Sequence, residues 1–245
     1  MRWIYLSPHF DDVALSCGGL VWEQVQAGQQ VEIWTIAAGA PVDSLALSGF
    51  AQQLHERWKT GLEAVAIRRS EDEAAGQRLG ATLRYWDLPD CIYRHLPDGS
   101  WLVNGEDDLW QALHPQEEAV VERLCRWLAE GLRRGDALVS PLTLGNHVDH
   151  NLVRAAAERL NRPLWYYADY PYVVKSQSTE NGKLGPDWQT VCQGVSRDGL
   201  RAWQEAVACH VSQLSTFWGG LDEMQTALEN YWLSGGGTCL WKPPA

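Results

Sequence analysis

The chain has 245 residues, with 31 Asp and Glu against 20 Lys and Arg, for a formal net charge of −11. That length suits one α/β domain over residues 1–245, with insertions, better than two small domains. The acidic balance argues against nucleic acid or an anionic membrane surface as main partner, since both require a basic footprint.

The first stretch, Arg2–Leu6, alternates in polarity and runs straight into Ser7-Pro8-His9, as a short strand feeding a loop. It shows no signal-peptide pattern, and no apolar run approaches the roughly 20 residues of a membrane span, so the expectation is a cytoplasmic protein. Val13, Leu20, Val21 and Val25 recur at helical spacing up to Gly28, and Val31–Ala38 is β-branched and aromatic, a buried strand. Gly39–Ser48 reads as a loop. Helices are predicted over Gly49–Ala64 and Arg69–Leu79, the second closed by Gly80. Thr82–Leu88 is the next strand, and Pro89–His114 is a long excursion rich in Pro, Asp, Gly and Asn. A helix with Pro115 in its first turn reaches about Arg134 and leads to a strand, Asp136–Ser140. A Gly-containing loop, a helix from about His150 to Leu160 and a strand over Pro163–Asp169 follow. The tail is less regular. It holds a Gly/Asn/Pro-rich stretch, helices over Asp198–Cys209 and Leu221–Leu233, and a Gly235-Gly236-Gly237 hinge before a short end strand.

Alternating strands and helices predict an α/β, Rossmann-like three-layer sandwich with a mostly parallel sheet. In such sheets ligands bind beyond the carboxyl ends of the strands. The six cysteines never form C-x-x-C and lie far apart, so they read as reduced, buried small hydrophobes. Most of the 14 Trp should be core, and a few beside a cleft would suit a ligand with C–H faces.

Two strand-to-helix loops carry His and Asp together: His9-Phe10-Asp11-Asp12 after the first strand and His147-Val148-Asp149-His150 after the Asp136–Ser140 strand. Read alone, Asp11-Asp12 is a helix cap and His147 and His150 are solvated loop residues. Taken together, in equivalent topological places, they point to a catalytic metal site. A His and an Asp three apart, joined by a His from the other loop, give three ligands and leave positions open. His55, His95, His114 and His210 have no partner motif and read as structural or surface residues.

At these residues the chain resembles the PIG-L/LmbE family of N-acetylglucosaminyl deacetylases, over roughly Trp3 to Tyr172. The stretch Arg68-Arg69-Ser70-Glu71, with Ala74 and Leu79-Gly80, and the segment Leu88-Pro89-Asp90 also match the family pattern. The resemblance implies a divalent metal, Zn2+ by family expectation with Fe2+ also accommodated, held by His9, Asp12 and His150. It also implies Asp11 as general base, His147 as a charged group facing the oxyanion with Asp149 orienting it, and Arg68 and Asp90 near substrate hydroxyls. Gly145 stands where some members place a Tyr as second oxyanion donor, so that help is absent or comes from elsewhere.

The reading is therefore a metal-dependent deacetylase that releases acetate from an N-acetyl amino sugar or its conjugate, a small-molecule partner. Rival readings are a metal-dependent amidase on a non-sugar amide and a catalytically silent sugar- or metal-binding module; a homo-oligomer stays open. A metallophosphatase fits less well, with one predicted metal site and only four Lys in the chain.

Overall fold

The chain's central strand, β1 (Arg2–Ser7), alternates its side chains between two cores. Trp3 and Tyr5 join a cluster on one face, while Ile4 and Leu6 join the cluster on the other. A computed structural model describes residues 1–42, 46–175, 184 and 187–244. The predicted loop Gly39–Ser48 and the Gly/Asn/Pro-rich stretch of the tail lie partly outside the described residues.

The remaining elements are α1 (Asp12–Gln26), β2 (Gln30–Thr35), α2 (Gly49–Trp58), α3 (Ala64–Leu79), β3 (Thr82–Tyr85), α4 (Glu118–Gly131), β4 (Ala137–Pro141), α5 (Val148–Glu158), β5 (Leu164–Tyr167), α6 (Tyr172–Lys175), β6 (Gln189–Cys192), α7 (Arg197–Cys209), α8 (Val211–Phe217), α9 (Leu221–Leu233) and β7 (Cys239–Lys242). The sheet order is β3-β2-β1-β4-β5-β7-β6. Strands β3, β2, β1, β4 and β5 run parallel, while β7 pairs antiparallel with both β5 and β6. This is the expected α/β sandwich, with α1 and α3 packed on the Tyr5 face and α4 and α5 on the Ile4 face. The chain reverses its order between β1 and β4, so the loops leaving these neighbours open a crevice at a topological switch point. No helix among the described residues is long and apolar enough to cross a membrane.

Among the boundaries that differ from the sequence reading, three have plain physical reasons. Helix α2 stops at Trp58 because Lys59 takes the left-handed conformation (φ 57°), and a 3-10 turn over Gly61–Glu63 leads into α3. Helix α3 then starts five residues earlier than Arg69. Its buried row is Ala64, Arg68, Asp72, Ala75, Gly76 and Leu79, so charged residues interrupt the apolar periodicity that would reveal it. Pro115–Glu117 is a separate 3-10 turn ahead of α4.

The cysteine reading needs correcting. Cys192 and Cys239 form a disulfide, because the antiparallel register of β6 and β7 sets them directly opposite, Cα to Cα 4.0 Å. Cys17 and Cys91 are buried free thiols as expected, and Cys125 and Cys209 are partly buried. Six of the 14 Trp are buried, and Trp22, Trp86, Trp127, Trp165, Trp188 and Trp232 pack partly buried against the core clusters, so most of the Trp are core material.

The tail joins the sheet directly through β7, and its helix α7 packs on α1. Helix α1 breaks at Cys17 (φ −153°, ψ 29°), and the fully buried Trp203 of α7 donates its Nε1 to the Ala14 carbonyl at 2.6 Å. Gly18 permits the approach, since a Cβ there would stand 2.6 Å from Trp203 Cδ1. Trp203→Ala is expected to cost about 3–5 kcal/mol, as for large aromatic truncations in cores, in urea unfolding at equilibrium. A loss below about 1 kcal/mol would mean that α7 does not anchor the tail through this side chain.

Candidate metal and catalytic site

Asp11 occupies the N-cap position of α1 without making a side-chain capping bond, and Asp12 opens the helix. Asp12 Oδ2 instead accepts the backbone N–H of His9 at 2.7 Å, turning the loop back on itself. Ser7 Oγ, donating to the His9 carbonyl at 2.6 Å, tightens the same turn. The simple capping account of this Asp pair therefore fails for both side chains.

Asp12 bridges the two motif loops. Its oxygens lie 3.2 Å from His9 Nδ1 and 3.2 Å from His150 Nε2. The far nitrogen of His150, Nδ1, pairs with Asp169 Oδ1 at 2.6 Å, and Asp169 in turn accepts the Leu144 N–H at 3.1 Å. His9 Nε2 reaches Asp149 Oδ2 at 3.0 Å. Burial opposes charge on all of these groups, yet mutual attraction wins. His150 is pushed up to about 9 by Asp12 and Asp169, and His9 is raised by Asp90, Asp12 and Asp149. His150 and His9 together hold Asp12 well below the usual carboxylate range.

His147 behaves differently. It is the N-cap residue of α5, and its Nδ1 accepts the Asp149 backbone N–H at 3.2 Å, which leaves Nε2 to carry the proton. Burial and the neighbouring His9 and His150 lower its pKa well below the ordinary histidine value. Burial and the two neighbouring imidazoles thus disfavour, in this geometry, the charge that the family resemblance assigns to His147. Asp149 does not bond to the His147 ring through its carboxylate either. That group goes to His9 and to Arg94 Nη2 at 2.6 Å, with Arg94 Nε also paired to Glu117 at 2.7 Å.

The donor set fits a divalent ion. His150 Nε2 is buried and has no hydrogen-bond partner, although Asp12 lies beside it, and its ring is fixed from behind by a carboxylate, as metal-ligating histidines usually are. His9, His147 and His150 bring one nitrogen each within 4.8 Å of one another. His9 and His150 both face carboxylates, so an ion taking the place of their protons would meet opposite charge.

Arg68 and Asp90 join the same constellation. Arg68 does not form the surface pair with Glu71 or Asp72 that its helix position allows. It is buried, 3.7 Å from Asp11 and 3.5 Å from Asp90, with its guanidinium 4.9 Å from the Trp58 ring. Burial and Asp12 raise the Asp11 pKa, with Arg68 opposing. His9, Asp11, Asp12, Arg68, Asp90 and His147 all line one cavity of about 360 Å³, while Asp149 and His150 sit behind them.

Sequence reasoning missed Asp169, Arg94, Glu117 and the aromatic wall of Trp110, Tyr172 and Phe217. Asp169 closes the strand reading PLWYYAD, and its place at a strand end was the one available signal. Tyr172 packs against the position of Gly145. That glycine has φ +85°, and a Cβ on it would come 2.7 Å from Tyr172 Cγ, so the Tyr172 ring fills the space beside it. Of the unassigned histidines, His55 bonds through Nε2 to Tyr93 Oη at 2.6 Å, and His210 is buried.

The fold and site define an α/β protein with a buried His-Asp constellation at the switch point of its sheet. Residues 4–161 match the PIG-L family, described as GlcNAc-PI de-N-acetylase, and the chain belongs to that family. It is 29% identical over 185 residues to 2'-N-acetylparomamine deacetylase of Niallia circulans, covering 69% of this chain and 66% of that protein. It is 31% identical over 191 residues to the enzyme of the same name from Streptomyces fradiae, covering 73% and 60%. The matches thus span just under two thirds of the length of these curated relatives. The crystal structure of the zinc-inhibited form of teicoplanin deacetylase Orf2 superposes with a TM-score of 0.78 at 28% identity, covering 99% of this chain and 97% of that one.

His210, between α7 and α8, is buried with neither ring nitrogen hydrogen-bonded. Burial and Arg68 push its pKa down to about 3. An unfolded histidine titrates near 6.5, so below that pH the unfolded chain binds a proton the folded chain refuses, and stability falls as pH drops. From pH 7 to 5 the native chain should therefore lose about 2 kcal/mol more than His210→Phe, measured by urea unfolding. Equal losses would show that His210 is protonated in the fold.

Proposed function

We propose that the chain is a single-domain, metal-dependent N-deacetylase that hydrolyses the acetamide of an N-acetyl amino sugar or its conjugate, releasing acetate. The observation that carries this reading is the buried Asp12 carboxylate set between His9 and His150 at 3.2 Å each, with Asp11 beside it on the cavity wall. His9, Asp12 and His150 would hold the ion, zinc by the family's habit, with Fe2+ also suited to two nitrogens and one oxygen. When bound, a divalent ion lowers the pKa of water toward about 7 and polarises the amide carbonyl.

The chain's own residues do the rest. Asp11 takes the proton of the attacking water as the C–O bond forms, and returns it to the nitrogen as the C–N bond breaks. Its raised pKa suits both transfers. His147 Nε2–H donates to the oxyanion, a task for which a neutral imidazole suffices because Nδ1 is already occupied by the Asp149 N–H. Arg68, between Asp11 and Asp90, holds both carboxylates at the cavity wall. The names of the relatives, 2'-N-acetylparomamine deacetylase and teicoplanin deacetylase, support removal of an N-acetyl group.

Metal content by mass spectrometry and acetate release, measured on His147→Ala and His150→Ala, test the assignment. His147→Ala should keep one ion per chain while kcat falls about 10²–10³-fold, the usual loss for one oxyanion donor. His150→Ala should lose both metal and activity. Loss of metal from His147→Ala comparable to that from His150→Ala would put His147 in the ligand set.

A further inference from the structure

The cavity has two chemically distinct zones. Its floor is polar: His9, Asp11, Asp12 and His147 come from the motif loops, Arg68 from α3 and Asp90 from the loop after β3. Its collar comes from three segments far apart in sequence: α2, the excursion after β3, and the tail helix α8. They supply Phe50, Leu109, Trp110 and Phe217, joined by Tyr172 from α6. All five are only partly buried, while Leu54 and Ile92 beneath them are buried. The Trp110 and Tyr172 rings stand close to the site histidines. The Trp110 centroid is 5.4 Å from that of His147, edge-on, and 5.4 Å from that of Tyr172.

Three elements have converged to leave large apolar faces standing at the mouth of a charged pocket, although the same atoms placed inward would have been withdrawn from water. Apolar side chains kept partly wet at the rim of a polar site gain their burial when a ligand arrives. The charged lining residues above the floor are Arg57 and Glu106, one of each sign, and both are exposed. Such a collar offers no field to a polycation and no cluster of donors to a phosphodiester.

Resting on the deacetylase reading, we infer that the acetamido sugar is presented on an apolar, aromatic aglycone, which the collar of Phe50, Leu109, Trp110, Tyr172 and Phe217 clasps while the sugar meets the floor. Aromatic faces bind such groups by offset and edge-on contact, and each ring contributes a large apolar area. The floor would set which bond is cut, and the collar would set which conjugate is admitted.

Isothermal titration of the metal-loaded Asp11→Asn protein separates this from the reading beneath it, since binding is read without turnover. Three ligands share one N-acetylglucosamine group or its acetamide: the methyl glycoside, the naphthyl glycoside, and an N-acetylated aminocyclitol with two free ammonium groups. The naphthyl glycoside should bind about 10- to 100-fold more tightly than the methyl glycoside, the yield of burying one aromatic side-chain equivalent. Phe217→Ala should cut that ratio severalfold, and circular dichroism would verify that the variant is folded. Equal affinities for the two glycosides, an unchanged ratio in Phe217→Ala, or tightest binding of the cationic aminocyclitol would overturn the inference. Tighter naphthyl binding with no acetate released by the native enzyme would uphold the collar and sink the deacetylase reading instead.

Discussion

The structure turns on a buried carboxylate shared by two imidazoles. Asp12 sits between His9 and His150, each 3.2 Å away, in a place where an isolated charge would be costly. The arrangement is tolerable because each partner is itself braced: His150 by Asp169, and His9 by Asp149, which is paired in turn with Arg94. Each group is held in its ionised form by the next. Such a chain of braces is worth keeping only if the charges have a task, since buried ion pairs contribute little to stability beyond what apolar packing would.

From that constraint the fold follows in order. Asp12 and His150 meet only if the loops leaving β1 and β4 are neighbours, which the order β3-β2-β1-β4-β5 ensures. Asp169 follows β5, on the far side of β4, and reaches the same point from the next crevice. Arg68 and Asp72 occupy the buried row of α3, where leucines would normally stand, so that helix trades part of its apolar stripe for the site. The net charge of −11 is thus unevenly used. Asp11, Asp12, Asp90, Asp149 and Asp169 are buried around one crevice, with Arg68 and Arg94 as the local cations.

What was legible in the sequence was local. The two His-Asp motifs, the strands feeding them and the mostly parallel sheet could be read from spacing, β-branched content and alternation. The six motif residues, and Arg68 and Asp90 that the family resemblance added, all meet in the structure. What escaped was set by partners distant in the chain. Asp169 gains its meaning from His150, and Arg94 from Glu117 and Asp149. The disulfide required seeing Gln189–Cys192 as a strand, and then the register that sets Cys192 opposite Cys239. The tautomer of His147 escaped for another reason. Its Nδ1 is committed by the capping geometry of α5, which begins two residues earlier than the predicted helix.

The central claim is a division of labour between adjacent carboxylates, Asp12 for the ion and Asp11 for the proton. Metal stoichiometry and acetate release on Asp11→Asn and Asp12→Asn, measured side by side, test it most directly. The account predicts that Asp11→Asn retains one divalent ion per chain while acetate release falls about 10²–10⁴-fold, the usual span for a general base. It predicts that Asp12→Asn loses the ion itself. Retention of the ion by Asp12→Asn, or native turnover by Asp11→Asn, would contradict it.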